Sequence, residues 1–411
     1  MAPFKSQLRI TGLGEEISAL SNLPWEKPLE GWPEDPSLTA QRGISRHIVR
    51  LVRSTPDPDS EIYAVKETVE EFAKREYEAL RELGIRGAPS VSQIAIVNGR
   101  FTPQGEELPC AIVTRFLPYS LPYRVVLSGD VTQHEITNMA NALAYLLVRL
   151  HLLGFWWGDC SLSNTLFRRD ADGFAAYLVD AETGEFQKNL SNGQREHDLD
   201  LARFNVAAEL EDLKLAGVLF PAMDPLRASE SVITRYRKIW KALSEPQVLP
   251  ANDRHAVERA MRSLQDIGFA VEEVDLQLAG DKSTLTFTPK LVAPNYHSQR
   301  LKELMGLDTE EFQAKRILAS FDRFRSREIA KTPDVSEAAQ RWLHEVFYTV
   351  VRSVPENLKG RIEDAQLFHE VLEHRWYLGE KQGHDVGLDN ATVDYITAVL
   401  PYRMDSGAPT L

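Results

Sequence analysis

Apolar and polar positions alternate differently along the chain, and the changes mark its elements. His47-Ile-Val-Arg-Leu-Val52 and Ile62-Tyr-Ala-Val-Lys66 are rich in β-branched residues and flank Pro56-Asp-Pro-Asp59, so they predict a hairpin. Residues 69–83 follow helical spacing, with Phe72, Leu80 and Leu83 on one face, and end at Gly84 and Gly87. Two further strands are predicted over 91–97 and 111–116, across turns at Gly99 and Gly105. A long amphipathic helix over 135–153 buries Ile136, Met139, Ala140, Leu143, Leu146, Leu147 and Leu150 and stops at Gly154. A polar loop follows, then a turn at Asp170-Ala-Asp-Gly173 and a strand over 175–179 that ends at Asp180.

Downstream the period of 3.6 dominates. Helices are predicted over 198–215, 231–243 and 254–267, with Pro246 and Pro250 marking a linker. A hairpin over 269–278 and 283–291 interrupts the series. Helices then run over 301–307, 309–329, 336–351, 362–381 and 390–399. Upstream, Pro24, Pro28, Pro33 and Pro36 break any long element in residues 1–40. Trp25 and Trp32 give that stretch apolar anchors, so it reads as an irregular arm packed on a folded body.

Composition adds bounds. With 411 residues, 43% apolar and 26% charged, the chain can bury a core and has room for two or three domains. No apolar run approaches the roughly 20 residues of a membrane span, and the first residues carry no secretory apolar region. Two cysteines, Cys110 and Cys160, exclude a disulfide framework and a Cys-rich zinc site, which fits a reducing, cytoplasmic setting. The net charge of −13 is spread evenly and argues against broad binding to nucleic acid or anionic membrane.

One spacing points to chemistry. Asp159 and Asn164 lie on one loop, and Asp180 ends the next strand. Phosphoryl transfer needs Mg²⁺ held on the phosphates and a carboxylate beside the attacking hydroxyl, and Mg²⁺ takes oxygen ligands. A loop Asn and a strand-end Asp supply such ligands, while a loop Asp can face the substrate. Upstream, Lys66 ends a strand, where it can reach phosphates. Glu76 shares the apolar face of the next helix and so asks for a partner, for which Lys66 is the obvious candidate.

Taken in order, Ala64-Val65-Lys66, Arg75-Glu76, Leu150-His151-x-x-Gly154, Gly158-Asp159-x₄-Asn164 and Val179-Asp180 resemble the protein-kinase-like fold. The similarity is greatest to its bacterial lipopolysaccharide-kinase-like and small-molecule kinase branches. The second half resembles an uncharacterised domain that follows such regions in actinobacterial proteins. The resemblance implies an α+β, two-lobed fold with an antiparallel-sheet N-lobe and a helical C-lobe, followed by a mostly helical domain containing a β-hairpin. The implied boundaries are an arm over 1–40, lobes over 41–118 and 119–245, and a domain of unknown role over 246–411. It further implies ATP and Mg²⁺ as cofactors. Asp159 would be the catalytic base, Asn164 and Asp180 the metal ligands, Lys66 the phosphate-binding lysine and Glu76 its partner. Thr114, Arg115, Phe116 and Leu117 would form the hinge that meets adenine, and Asp198 would anchor the catalytic loop.

The chain also departs from that pattern. Trp157-Gly158-Asp159 replaces His-Arg-Asp, and Asp180-Ala181-Glu182 replaces Asp-Phe-Gly. Gly43 is the sole glycine of a phosphate loop that would rely on Ser45, Arg42 and Arg46. The expected function is an ATP- and Mg²⁺-dependent phosphotransferase acting on a hydroxyl of a small molecule, sugar or glycan. The alternatives are a nucleotide-binding pseudokinase scaffold, a protein kinase, or a nucleic-acid-associated regulator. The last would rest on the basic cluster of Lys315, Arg316, Arg323, Arg325, Arg327 and Lys331, which otherwise reads as a solvated helical face. The C-terminal domain would offer a surface to a protein partner. Cys160, Trp156 and Trp157 read as packing residues. His369-Glu-Val-Leu-Glu-His374 reads as solvated helix, since its histidines are five apart and do not share a face.

Overall fold

The computed structural model describes residues 8–14, 16–33, 48–55, 57, 60–128, 131–253, 255–279, 283–328 and 334–403. Arg42, Gly43, Ser45, Arg46 and Lys331 lie outside the described residues. The chain forms two compact units. Among the described residues, one comprises those up to Arg168 together with Ala176–Arg235; the other comprises Arg169–Ala175 and those from Tyr236 to Arg403.

The first unit opens with β1 (Arg9–Gly12), α1 (Ile17–Leu20), β2 (Val49–Arg53), β3 (Ile62–Thr68), α2 (Glu70–Ile85), β4 (Gln93–Asn98) and β5 (Cys110–Arg115). The five strands make one antiparallel sheet in the order β1-β4-β5-β3-β2. Tyr63 and Val65 alternate onto one face of β3 and pack with Ile94, Val97, Ala111, Val113, Trp25 and Trp32. Lys66 therefore turns to the opposite face, where it meets α2. Trp25 and Trp32 are buried with their rings edge to face, 5.0 Å apart, and their indole N–H groups donate to the Leu20 and Lys27 carbonyls.

Three expectations need correction here. The N-terminal stretch is not wholly irregular, because β1 pairs with β4 as an edge strand of the sheet. Phe72 is exposed, and the buried side of α2 is Ala73, Glu76, Ala79, Leu80 and Leu83. Ala73 keeps helical spacing with Glu76, Leu80 and Leu83 and begins the buried face, so Phe72, one residue earlier, falls at its margin.

Further along come β6 (Ser120–Pro122), α3 (Tyr123–Val126), α4 (Gln133–Leu152), β7 (Phe155–Trp156), β8 (Thr165–Asp170), β9 (Gly173–Leu178), β10 (Glu185–Phe186), α5 (Asn192–Leu215) and α6 (Pro225–Ser244). Thr132 and Glu135 form a reciprocal capping box that starts α4, and all seven apolar positions expected on its inner side are buried. Ser191 and Gln194 do the same for α5. That helix begins at Asn192, so Asp198 sits inside it rather than at its start, which is the third correction.

The second unit holds β11 (Gln247–Pro250), α7 (Ala256–Asp266), β12 (Phe269–Leu278), β13 (Thr284–Pro294), α8 (Tyr296–Met305), α9 (Glu311–Glu328), α10 (Val335–Trp342), α11 (Tyr348–Arg352), α12 (Asp364–Gln382) and α13 (Leu388–Ala398). Its sheet runs β11-β13-β12. The expected linker at Pro246 and Pro250 is thus a strand paired with β13, at an edge that tolerates proline. Trp342 centres the core, ringed by Phe321, Phe347 and Phe368. The tip of the β8–β9 hairpin belongs to this unit, and the Asp170 carboxylate accepts the N–H groups of Phe312 (3.1 Å) and Gln313 (2.7 Å) at the start of α9. The expectation of a solvated helix around His369 fails, because seven consecutive residues from Ala365 to Val371 are buried. Polar members of that run have partners: the Gln366 amide donates to the Ala171 carbonyl, and Glu370 accepts from Tyr395 and Arg403.

The chain is therefore α+β, with an antiparallel sheet in its N-terminal region and a helical C-terminal part. Among the described residues no helix is long and apolar enough to cross a membrane.

Candidate active site

Lys66 projects from β3 into a cage of carboxylates. Its Nζ lies 2.7 Å from Glu76 Oε2, 2.9 Å from Asp180 Oδ2 and 3.6 Å from Glu182 Oε2. Glu76 is brought there by the buried side of α2, and Asp180 by the end of β9. Burial alone would lower the Lys66 ammonium, but the Glu76 and Asp180 carboxylates outweigh it and its pKa rises. Burial, and then Asp180, push the Glu76 carboxyl up to about 8, against the pull of Lys66. Even with the Glu76 carboxyl holding its proton near neutral pH, Asp180 and Glu182 outnumber the one ammonium, and that excess of negative charge favours a further cation.

The loop after β7 is held from α5. The Asp198 carboxylate is fully buried and accepts the N–H groups of Trp157 and Gly158, each at 2.8 Å, and His151 Nε2 at 3.0 Å. Gly158 adopts φ +75°, a conformation that costs a residue with a Cβ, so glycine suits this bend. Asp159 follows directly. Asn164 donates its amide to Asp159 Oδ2 at 3.0 Å and to the Asp159 carbonyl at 3.1 Å, which leaves its Oδ1 without a protein donor among the described residues. Trp157 is fully buried and its indole N–H donates to the Asp180 carbonyl at 3.0 Å, tying the loop to the strand end. Cys160 is fully buried, and burial together with Asp198 raises its thiol well above the usual range, so it is not poised as a nucleophile.

Two residues of α5 that sequence reasoning missed complete the loop. Asn205 donates to the Cys160 carbonyl at 3.0 Å and more distantly to Asp159 Oδ1 at 3.5 Å. Glu209 accepts the N–H groups of Leu162 (2.8 Å) and Ser163 (3.0 Å). Asp198, Asn205 and Glu209 are seven and eleven positions apart, which is one face of a helix, and that spacing was the available signal. Glu182 is the third, offering its backbone N–H to Asp180 Oδ1 at 3.1 Å.

The structure thus brings Lys66, Glu76 and Asp180 into contact, and Asp159 and Asn164 into contact. In the segment expected as a hinge, Thr114 lies in the β3–β5 ladder, and the N–H groups of Arg115 and Phe116 donate to the Ser92 and Ile62 carbonyls. The Leu117 carbonyl accepts the Ser120 hydroxyl, and its N–H has no backbone partner among the described residues. Asn164 Oδ1 and the Asp180 carboxylate are hard oxygen donors, the donor type that Mg²⁺ takes.

Residues 238–400 match the model of a family described as a domain of unknown function, DUF4032. None of the curated proteins matches the chain. Among solved structures the chain is similar to WaaP in complex with acyl carrier protein, at 17% identity and a TM-score of 0.36, over 63% of this chain and 99% of that one.

Proposed function

We propose that the protein is an ATP- and Mg²⁺-dependent phosphotransferase whose acceptor is a hydroxyl of a small molecule, sugar or glycan. The observation that carries the reading is the contact of Lys66 with both Glu76 and Asp180, from three separate elements. Glu76 orients the ammonium, and the ammonium meets the phosphates. Asn164 and Asp180 would hold Mg²⁺, which when bound neutralises charge on the phosphates. Asp159, steadied by Asn164 and Asn205, accepts the proton of the attacking hydroxyl. Leu117 offers the free hinge N–H to adenine. The acceptor class rests on the sequence resemblance alone.

The test is calorimetric titration of ATP into the purified protein with and without Mg²⁺, beside Lys66→Ala and Asp180→Ala. Magnesium-dependent binding, weakened at least about tenfold in both variants, is the expected result. Absence of binding in the wild type would overturn the reading. A second reading, a nucleotide-binding scaffold without catalysis, is favoured by the hinge, where two of the N–H groups are already engaged. It predicts wild-type ATP affinity in Asp159→Asn and no phosphoryl transfer by either protein.

A further inference from the structure

Asp172, His369 and Glu373 converge in the second unit. Asp172 sits at the tip of the β8–β9 hairpin, and His369 and Glu373 are one turn apart on α12. His369 Nε2 lies 2.9 Å from Asp172 Oδ1 and 3.3 Å from Glu373 Oε2, and the three atoms all fall within 4.8 Å of one another. The imidazole is 1% exposed. A buried imidazolium between two carboxylates should aim its N–H at one of them. Yet Nε2 makes no hydrogen bond of acceptable geometry, although both oxygens are within reach. Nε2 thus lies close to two carboxylates without a hydrogen bond to either among the described residues.

Donor atoms that surround one metal ion behave in this way. With bonds of roughly 2.1 Å meeting at angles between a right angle and the tetrahedral angle, neighbouring ligand atoms sit about 3.0–3.4 Å apart. The two measured separations, 2.9 and 3.3 Å, are close to that range. We propose that Asp172 Oδ1, His369 Nε2 and Glu373 Oε2 form a binding site for a divalent transition metal ion of the zinc type. The imidazole donor selects such ions over Mg²⁺ and Ca²⁺. Arg316 holds the other Asp172 oxygen at 2.9 Å and so orients the ligand from outside, as outer-shell groups do. Asp172 and Glu373 are each about half exposed, so solvent reaches the centre and at least one coordination position stays open to water or an exogenous anion.

The experiment uses the full-length protein, stripped with a chelator and titrated with ZnCl₂ by calorimetry, with MgCl₂ as comparison. Melting temperature is followed in parallel. Asp172→Asn and Glu373→Gln remove one charged ligand each at half-exposed positions, so folding should survive; His369→Gln is the third variant. The expected result is a zinc site in the wild type, a rise in melting temperature with zinc, and affinity at least about tenfold weaker in all three variants. No zinc binding by the wild type would overturn the proposal. So would wild-type affinity in either Asp172→Asn or Glu373→Gln, because the ion would then sit on other histidines. Neither result bears on nucleotide binding at Lys66.

Discussion

Asp198 has no contact with water, yet it satisfies two backbone N–H groups and one imidazole. Replacing it by Ala leaves three buried donors unpaired, and each costs on the order of 1–3 kcal/mol. Asp198→Ala should therefore lose about 3 kcal/mol or more in urea unfolding. Retained stability would mean that water replaces the carboxylate. His151 donates to the same group and is itself buried. Burial lowers its pKa, and Asp198 only partly opposes that. The unfolded chain then takes up the proton first on acidification. The contribution of His151 is complete above the ordinary value of about 6.5 and is lost as the pH falls through the lower folded value. Melting temperature should drop more steeply on acidification in the wild type than in His151→Gln. An equal slope in both would show that His151 is not the titrating group.

At the scale of elements, what could be read from the chain was periodicity, and what could not was proximity. Alternation in Tyr63-Ala-Val-Lys66 places Val65 and Lys66 on opposite faces, and helical spacing places Glu76 beside Leu80. Both facts lead to the ion pair. The inner face of α2 differs from expectation at Phe72 because the small Ala73, a weak apolar signal, begins the buried face one residue later, at helical spacing with Glu76, Leu80 and Leu83. His369 was read as solvated because nothing in its own helix announces Asp172, almost two hundred residues earlier in the chain. The arm was read as irregular because its prolines are local signals, while the pairing of β1 with β4 is not. The turn after α4 was legible as a glycine stop, and its tolerance is narrow. Gly154 has φ +78°, and a Cβ there would lie 2.3 Å from the Gln187 carbonyl oxygen. Gly154→Ala should cost about 2 kcal/mol or more. A smaller loss by denaturant titration would mean that β7 and β10 move apart freely.

Over the whole molecule, the first unit depends on its own beginning. Arg100 is buried and donates to the Trp25 and Lys27 carbonyls, to the Pro109 carbonyl and to Glu67 at 2.7 Å. Glu67 also accepts the Leu29 N–H. Removing one partner of such a pair strands the other, so Arg100→Ala should destabilise by about 3–5 kcal/mol. A change below about 1 kcal/mol would show that Glu67 finds water instead. The contact between Trp157 and the Asp180 carbonyl has a different use. Indole emission reports the polarity and hydrogen bonding of its surroundings, and this indole is sealed against the strand end that carries a candidate ligand. The protein therefore contains its own optical sensor. Subtracting the spectrum of Trp157→Phe from that of the wild type isolates one fluorophore among seven. Ligand arrival at Asp180 can then be timed in a stopped-flow cell without attaching any dye.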